Sequence, residues 1–206
     1  VGEPVAVIGA GGHAKVVVAT LQAAGCPILA AFDDDERKWG TALLGVPVRG
    51  PVTAAPAEAP IIIGVGDNRA RAALASRLGA AGACFATAVH PLAWVHASVT
   101  LGPGTVVFAR ATVQPDASLG AHVIVNTAAS IDHDCVLGDF VHVAPGVLLA
   151  GGVTLEEGAF LGIGAAAIPG VRVGAWARVG AGGVVVDPVP AGLTAVGLPA
   201  RPRARQ

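Results

Sequence analysis

Residues 95–143 read VHASVTLGPGTVVFARATVQPDASLGAHVIVNTAASIDHDCVLGDFVHV. Counting in sixes from Val95 and continuing beyond this stretch gives Val95, Leu101, Val107, Val113, Leu119, Val125, Ile131, Leu137, Val143, Leu149, Leu155, Leu161, Ala167, Val173, Val179 and Val185. Fifteen of these sixteen are Val, Leu or Ile and the register never slips, so a short fixed period decides the fold before any local propensity does. The fifth residue of each hexad is small, as at Val99, Ala111, Val123, Ala129, Cys135, Val141, Ala165 and Gly183. Glycine often follows the aliphatic residue, as in Leu101-Gly102, Leu119-Gly120 and Leu137-Gly138. An inward branched residue, a small one beside it and glycine where the chain must turn suit short parallel strands stacked coil upon coil. Cys135, at an inward fifth position, is expected to be a packed thiol and not a nucleophile.

Composition removes several classes of function. The 206 residues are 53% hydrophobic and 4% aromatic, with a net charge of -1, so the basic excess and stacking surface of a nucleic-acid binder are missing. Uncharged runs are broken by Pro and Gly and do not reach a membrane-spanning length. Three widely spaced cysteines, Cys26, Cys84 and Cys135, point to a reducing compartment and away from a zinc cluster. With a strand-like run at the N-terminus and no basic leader before it, the expectation is a cytoplasmic protein without a metal.

Upstream of the hexads the pattern changes. VAVIGAGGHAKVVVATLQAAG predicts a buried strand at Val5–Ile8, a Gly-rich turn and a helix ending near Gly25. A second strand, Ile28–Phe32, runs into Asp33-Asp34-Asp35. A third, 61–65, leads through Gly66-Asp67-Asn68 into a helix that Asp67 or Asn68 can cap. Alternating strands and helices imply a small parallel sheet. Residues 1–88 are therefore expected to form a Rossmann-like α/β domain and residues 89–206 the repeat domain. Gly9-Ala10-Gly11-Gly12-His13-Ala14 satisfies the dinucleotide fingerprint, yet the chain offers no second nucleotide half. Backbone amides at a helix N-terminus still bind phosphate, which makes a nucleotide-linked substrate the better guest than a nicotinamide cofactor; His13 and Lys15 lie in that first turn.

The hexads resemble those of the hexapeptide-repeat acyltransferases, and the resemblance implies a left-handed parallel β-helix. GAGGHAK, FDDD, GVGDN, NTAASIDHDC and VGLPARP together are similar to the sugar acyltransferases related to the sialic acid O-acetyltransferases and the bacillosamine and perosamine N-acetyltransferases. That likeness implies a nucleotide-sugar-binding N-terminal domain, a homotrimer and acetyl-CoA in the groove between neighbouring helices. It makes the substrate a UDP- or GDP-linked 4-amino sugar of bacterial glycan synthesis, with a sialic acid type O-acetyltransferase and a non-catalytic sugar-nucleotide-binding scaffold as alternatives.

Matched residue by residue, the likeness makes His133 the catalytic base and Asp134 the acid that tunes or orients it. An imidazole, with an ordinary pKa of about 6.5, takes a proton from an amine or hydroxyl near neutrality. Asp132 is expected to be an outward-facing or structural acid. Transfer is expected to be direct, within a ternary complex and without an acyl-enzyme. The same matching assigns Gly11, Gly12, His13, Asp33, Asp34 and Gly66 to the nucleotide-sugar pocket and Asn126 to the neighbourhood of the acceptor group. His142, Ile163 and Ala181 are matched to coenzyme contacts. Arg201, Arg203 and Arg205 follow the last coil, where cations can meet CoA phosphates.

Overall fold

In the computed structural model, which describes residues 3–203, the chain divides into two compact units, Val1–Pro91 and Leu92–Gln206.

The first unit starts with β1 (Val5–Ile8), whose four aliphatic residues are all buried. It lies between β2 (Ile28–Phe32) and a later strand, both parallel to it, and a central parallel strand covered on both faces is expected to be apolar throughout. Helix α1 (Gly12–Ala23) buries Ala14, Val17, Val18 and Leu21, the one-sided stripe that 3.6 residues per turn produces. It stops where Gly25 turns left-handed at φ +68° and returns its N–H to the Gln22 carbonyl at 3.0 Å. A hairpin, β3 (Ala42–Leu43) and β4 (Val46–Pro47), follows. Strand β5 (Ile61–Ile63) completes the sheet in the order β2-β1-β5. Helix α2 (Asn68–Ala80) is capped by Asp67, whose carboxylate accepts the Ala70 N–H at 2.9 Å. β5 ends two residues before the expected Val65, because the Val65 and Gly66 carbonyls turn out of the sheet to the guanidinium of Arg71, 3.2 Å from each.

The second unit is a left-handed β-helix with three flat faces. One face stacks two-residue strands at 94–95, 112–113, 130–131, 148–149, 166–167 and 184–185; the second stacks those at 100–101, 118–119, 136–137, 154–155 and 172–173. The third stacks 106–107, 124–125, 142–143, 160–161 and 178–179. Thr112 lies opposite Ser130 and Ser130 opposite Leu148, one coil being three hexads. From Val107 to Val185 every sixth residue points inward and is no more than 4% exposed. Truncating any one of these to Ala would cost roughly 2–5 kcal/mol where it is Leu or Ile. Val95 and Leu101, in the first coil, are only half-buried. In the last coil Arg178 faces Thr194, two residues early, and Arg201–Arg203 pairs antiparallel with Thr194–Val196.

Glycine's place in the turns differs from expectation. The left-handed residue is the fourth of each hexad, and in every hexad from Gly104 to Gly182 its φ lies between +55° and +74°. Glycine occupies half of these corners; Arg110, Asp116, His122, Ala128, Asp134, Phe140 and Trp176 hold the others. Gly102, after the aliphatic residue, has no left-handed φ, and a Cβ there would lie 2.4 Å from the Gly120 carbonyl carbon. It is glycine because successive coils touch there, not because the chain turns. No helix among the described residues is long and apolar enough to cross a membrane.

Candidate active site

His133 sits on the corner that follows the first face, between the strands Ser130–Ile131 and Val136–Leu137. Its backbone is pinned on both sides. The amide donates to Asp132 Oδ1 at 2.8 Å, and the carbonyl accepts from Gly152 N–H in the next coil at 2.9 Å. The imidazole Nδ1 lies 2.7 Å from Asp134 Oδ2, with both side chains more than half exposed. Asp134 reaches back to the preceding residue because it occupies the left-handed corner, φ +59°, a conformation Asp and Asn enter more readily than other side chains. An ionised carboxylate only accepts, so Nδ1 carries the hydrogen and Nε2 is left with the lone pair. The Asp134 hydrogen bond, and after it the Asp132 charge, hold the imidazole above its ordinary pKa. The pair can thus take up a proton at Nε2 and stabilise the imidazolium that results.

Asp132 does more than the sequence suggests, since it both ties down the His133 amide and adds charge. Cys135 is fully buried, its thiol directed at the Ala150 carbonyl at 3.3 Å, and burial raises its pKa. That is a core thiol, as expected.

Asn126 and His142 meet. Asn126 Oδ1 accepts the Thr127 N–H at 2.9 Å, which orients its amide nitrogen to His142 Nε2 at 3.2 Å. The amide thus presents its N–H to the His142 ring. That ring is buried and meets Phe160 edge-on at 5.3 Å, and Arg178 lies 4.5 Å over Phe160. Ile163 and Ala181 stack one coil apart, both exposed, on the corner that follows the third face. Asn126 opens that same corner two coils earlier. His133 and Asp134 lie on a different edge of the prism. Arg201 is ion-paired to Asp187. The Arg203 side chain and Arg205 lie outside the described residues.

In the first unit the Gly-rich turn, the acids after β2 and the turn after β5 converge at the ends of the parallel strands. Gly9, Asp33, Asp34 and Val65 help line a cleft of about 160 Å³. Asp33 Oδ2 accepts the Ala10 N–H at 2.7 Å and the Lys38 ammonium at 2.9 Å, while Oδ1 takes the Asp35 N–H at 2.9 Å. Burial would raise the Asp33 pKa, but Lys38 and the two amides hold it below its usual value. Asp33 thus rivets the Gly-rich turn. Asp34 accepts Val52 N–H at 2.8 Å and Arg77 at 3.3 Å.

His13 packs on the turn after β5, its ring atoms 3.5–3.6 Å from where a Gly66 Cβ would lie. Burial, with the Arg71 charge second, lowers its pKa to about 4, so it is neutral near pH 7. Gly11 and Gly12 have no left-handed φ, and a Cβ on either meets nothing within 4 Å. The fold itself makes no demand for glycine at either position.

Sequence reasoning missed Arg71, which is 1% exposed. It bonds Asn68 Oδ1 at 3.0 Å besides the Val65 and Gly66 carbonyls, and burial lowers its pKa to about 10. The available signal was its helical i, i+3 spacing from Asn68.

Comparisons with known proteins match both units. Residues 4–78 match the PglD N-terminal domain. UDP-N-acetylbacillosamine N-acetyltransferase of Bacillus subtilis (strain 168) is 40% identical over 118 residues, 51% of this chain and 51% of that protein; the match thus spans about half the length of that curated relative. PerB from Caulobacter crescentus, solved with CoA and GDP-perosamine, is 43% identical with a TM-score of 0.92, covering 98% of this chain and 97% of that one. The acetyltransferase domain of PglB from Neisseria gonorrhoeae FA1090 is 39% identical with a TM-score of 0.91, covering 98% and 100%. With both units matched over nearly their whole length at such identity, the chain belongs to the hexapeptide-repeat sugar N-acyltransferases.

Proposed function

We propose that this chain transfers the acetyl group of acetyl-CoA to the amino group of a nucleotide-activated 4-amino sugar, with His133 as general base. The observation that carries the proposal is the His133–Asp134 contact of 2.7 Å, in a chain similar over almost all its length to a structure holding CoA and GDP-perosamine. His133 Nε2 takes a proton from the sugar amine as its nitrogen bonds to the thioester carbonyl carbon. As the carbon–sulfur bond breaks, the imidazolium returns that proton to the departing sulfur, leaving an amide and free CoA. Asp134 fixes the tautomer and offsets the imidazolium charge throughout.

Gly11, Gly12, His13, Asp33, Asp34 and Gly66 form the nucleotide-sugar site. Two glycines that the fold does not require, at a helix N-terminus suited to phosphate, support that assignment. Asn126, His142, Ile163, Ala181 and Arg201 serve the acceptor and the coenzyme. Asn126, Ile163 and Ala181 lie on a different edge of the prism from His133, which favours a trimer in which one copy's base works beside a neighbour's coenzyme groove. The three cysteines, all free, suit a cytoplasmic enzyme.

The test is release of CoA from acetyl-CoA with a panel of UDP- and GDP-linked amino and hydroxy sugars. Turnover with an amino sugar is expected, and His133→Ala should lower kcat by about 10²–10⁴-fold while acetyl-CoA still binds. Turnover with hydroxy sugars alone, or a His133→Ala enzyme within about tenfold of wild type, would overturn the proposal.

A further inference from the structure

One coil beyond His133 stands Gly151, and nothing in its own backbone calls for glycine. Its φ is not left-handed, whereas its neighbour Gly152 has φ +69°. The equivalent corner position is Pro115 one coil before His133 and Pro169 one coil after Gly151, so the site accepts a restricted, bulky residue elsewhere in the solenoid. What distinguishes Gly151 is the space above it. A Cβ there would lie 2.6 Å from both Cε1 and Nε2 of His133 and 3.2 Å from Nδ1, well inside van der Waals contact.

Neither backbone can move aside. His133 is held by Asp132 Oδ1 and by Gly152 N–H, and the Gly151 carbonyl accepts Gly170 N–H at 3.0 Å. The strain would fall on the exposed imidazole, which is free to swing outward at little cost to folding. Swinging outward breaks the Nδ1–Asp134 contact.

We infer that Gly151 is a positioning residue, whose missing side chain leaves the seat on which the His133 ring lies in register with Asp134. With His133 the base, as proposed above, a methyl group at residue 151 weakens catalysis by displacing that ring and leaves the fold intact. Occupying the seat also deprives the ring of the carboxylate that raises its basicity; Asp132 and Asp134 are the charged groups acting on it.

The experiment compares Gly151→Ala, His133→Ala and Gly170→Ala with wild type. Gly170 has φ +71° and open space around it, so Gly170→Ala reports backbone strain alone. Gly151→Ala is expected to lower kcat about 10–100-fold, within what a positioned base contributes. KM for both substrates should stay within about threefold and the unfolding midpoint should not move. The acid limb of kcat/KM, and the His133 imidazole titration followed by NMR, should shift to lower pH. Gly170→Ala should lose stability and keep kcat. If His133→Ala is crippled but Gly151→Ala keeps wild-type kcat and an unshifted titration, the seat is refuted and the base stands. If His133→Ala is fully active, the base itself is wrong. A Gly151→Ala chain that does not fold also overturns the inference, because an ordinary φ and an exposed ring require an intact fold.

Discussion

Replacing Asp134 separates its two duties, as acceptor for His133 and as occupant of a left-handed corner. Asp134→Asn keeps a side chain suited to φ +59°, so its unfolding free energy should match wild type. Asp134→Ala places an ordinary residue there and should lose about 1–2 kcal/mol. In catalysis the order changes. Both variants lack the charge that sits 2.7 Å from Nδ1, and an uncharged acceptor bonds about half as strongly as a charged one. The loss cannot exceed that of the base, so kcat should fall about 10–100-fold for both, against about 10²–10⁴-fold for His133→Ala. The pH profile carries the sign. Asp134 holds the imidazole above its ordinary value, so wild-type kcat/KM declines as pH falls through a pKa above 6.5, and without the carboxylate that decline begins at lower pH. Asp132 still contributes charge, so the shift is partial. Urea unfolding and stopped CoA-release assays from pH 5 to 9 measure both effects. Asp134→Asn with wild-type kcat and an unmoved acid limb would remove Asp134 from the mechanism.

Three further outcomes are expected. Gly12→Val adds a side chain in open space, so stability should hold or rise by up to about 1 kcal/mol. Nucleotide-sugar binding should be lost while acetyl-CoA binding is kept, and the wild type should show no NAD or NADP binding; calorimetry showing tight NAD binding, or unchanged sugar affinity in the variant, would assign the turn to another ligand. His13, near 4 in the folded chain against 6.5 ordinarily, binds its proton first in the unfolded chain. Its contribution is complete above pH 6.5 and is lost towards pH 4, at about 1.4 kcal/mol per pH unit; His13→Gln should lack that slope, and parallel urea curves for the two proteins would contradict it. Sedimentation should report a trimer, and a monomer with full activity at low concentration would exclude a site shared between copies.

The solenoid was legible because its signal is one-dimensional: an aliphatic residue every six positions needs no knowledge of tertiary contacts. β1, β2 and the Asp67 cap were legible for the same reason, each depending on neighbours in the chain. Contacts between coils were not. His133 and Gly151 are one full coil apart, and Gly102 meets Gly120 across the same interval; these pairs become visible only once the coil length is fixed, which spacing in sixes does not do alone. Asn126 and His142 meet between neighbouring coils at the end of the third face, through an amide whose orientation a backbone N–H decides. Asp33 looked like an acid awaiting a ligand, and its partners Ala10 and Lys38 depend on how β1 and the segment after β2 fold together. Arg71 was hidden because a charged residue in a helix is ordinarily solvated.

The constant interval of the corners also limits how such a chain can change length. Each coil advances the solenoid by the strand spacing, about 4.8 Å, and every inward aliphatic keeps its place only if whole coils are added or removed. Loss of one residue between His133 and Gly151 would rotate the seat away from His133 and turn each later core residue towards solvent, so length variation is confined to units of a full circuit or to corner loops. The last coil escapes this rule. Its strand arrives two residues early, Arg178 facing Thr194, and Arg201–Arg203 folds back antiparallel on Thr194–Val196 in place of a further parallel rung.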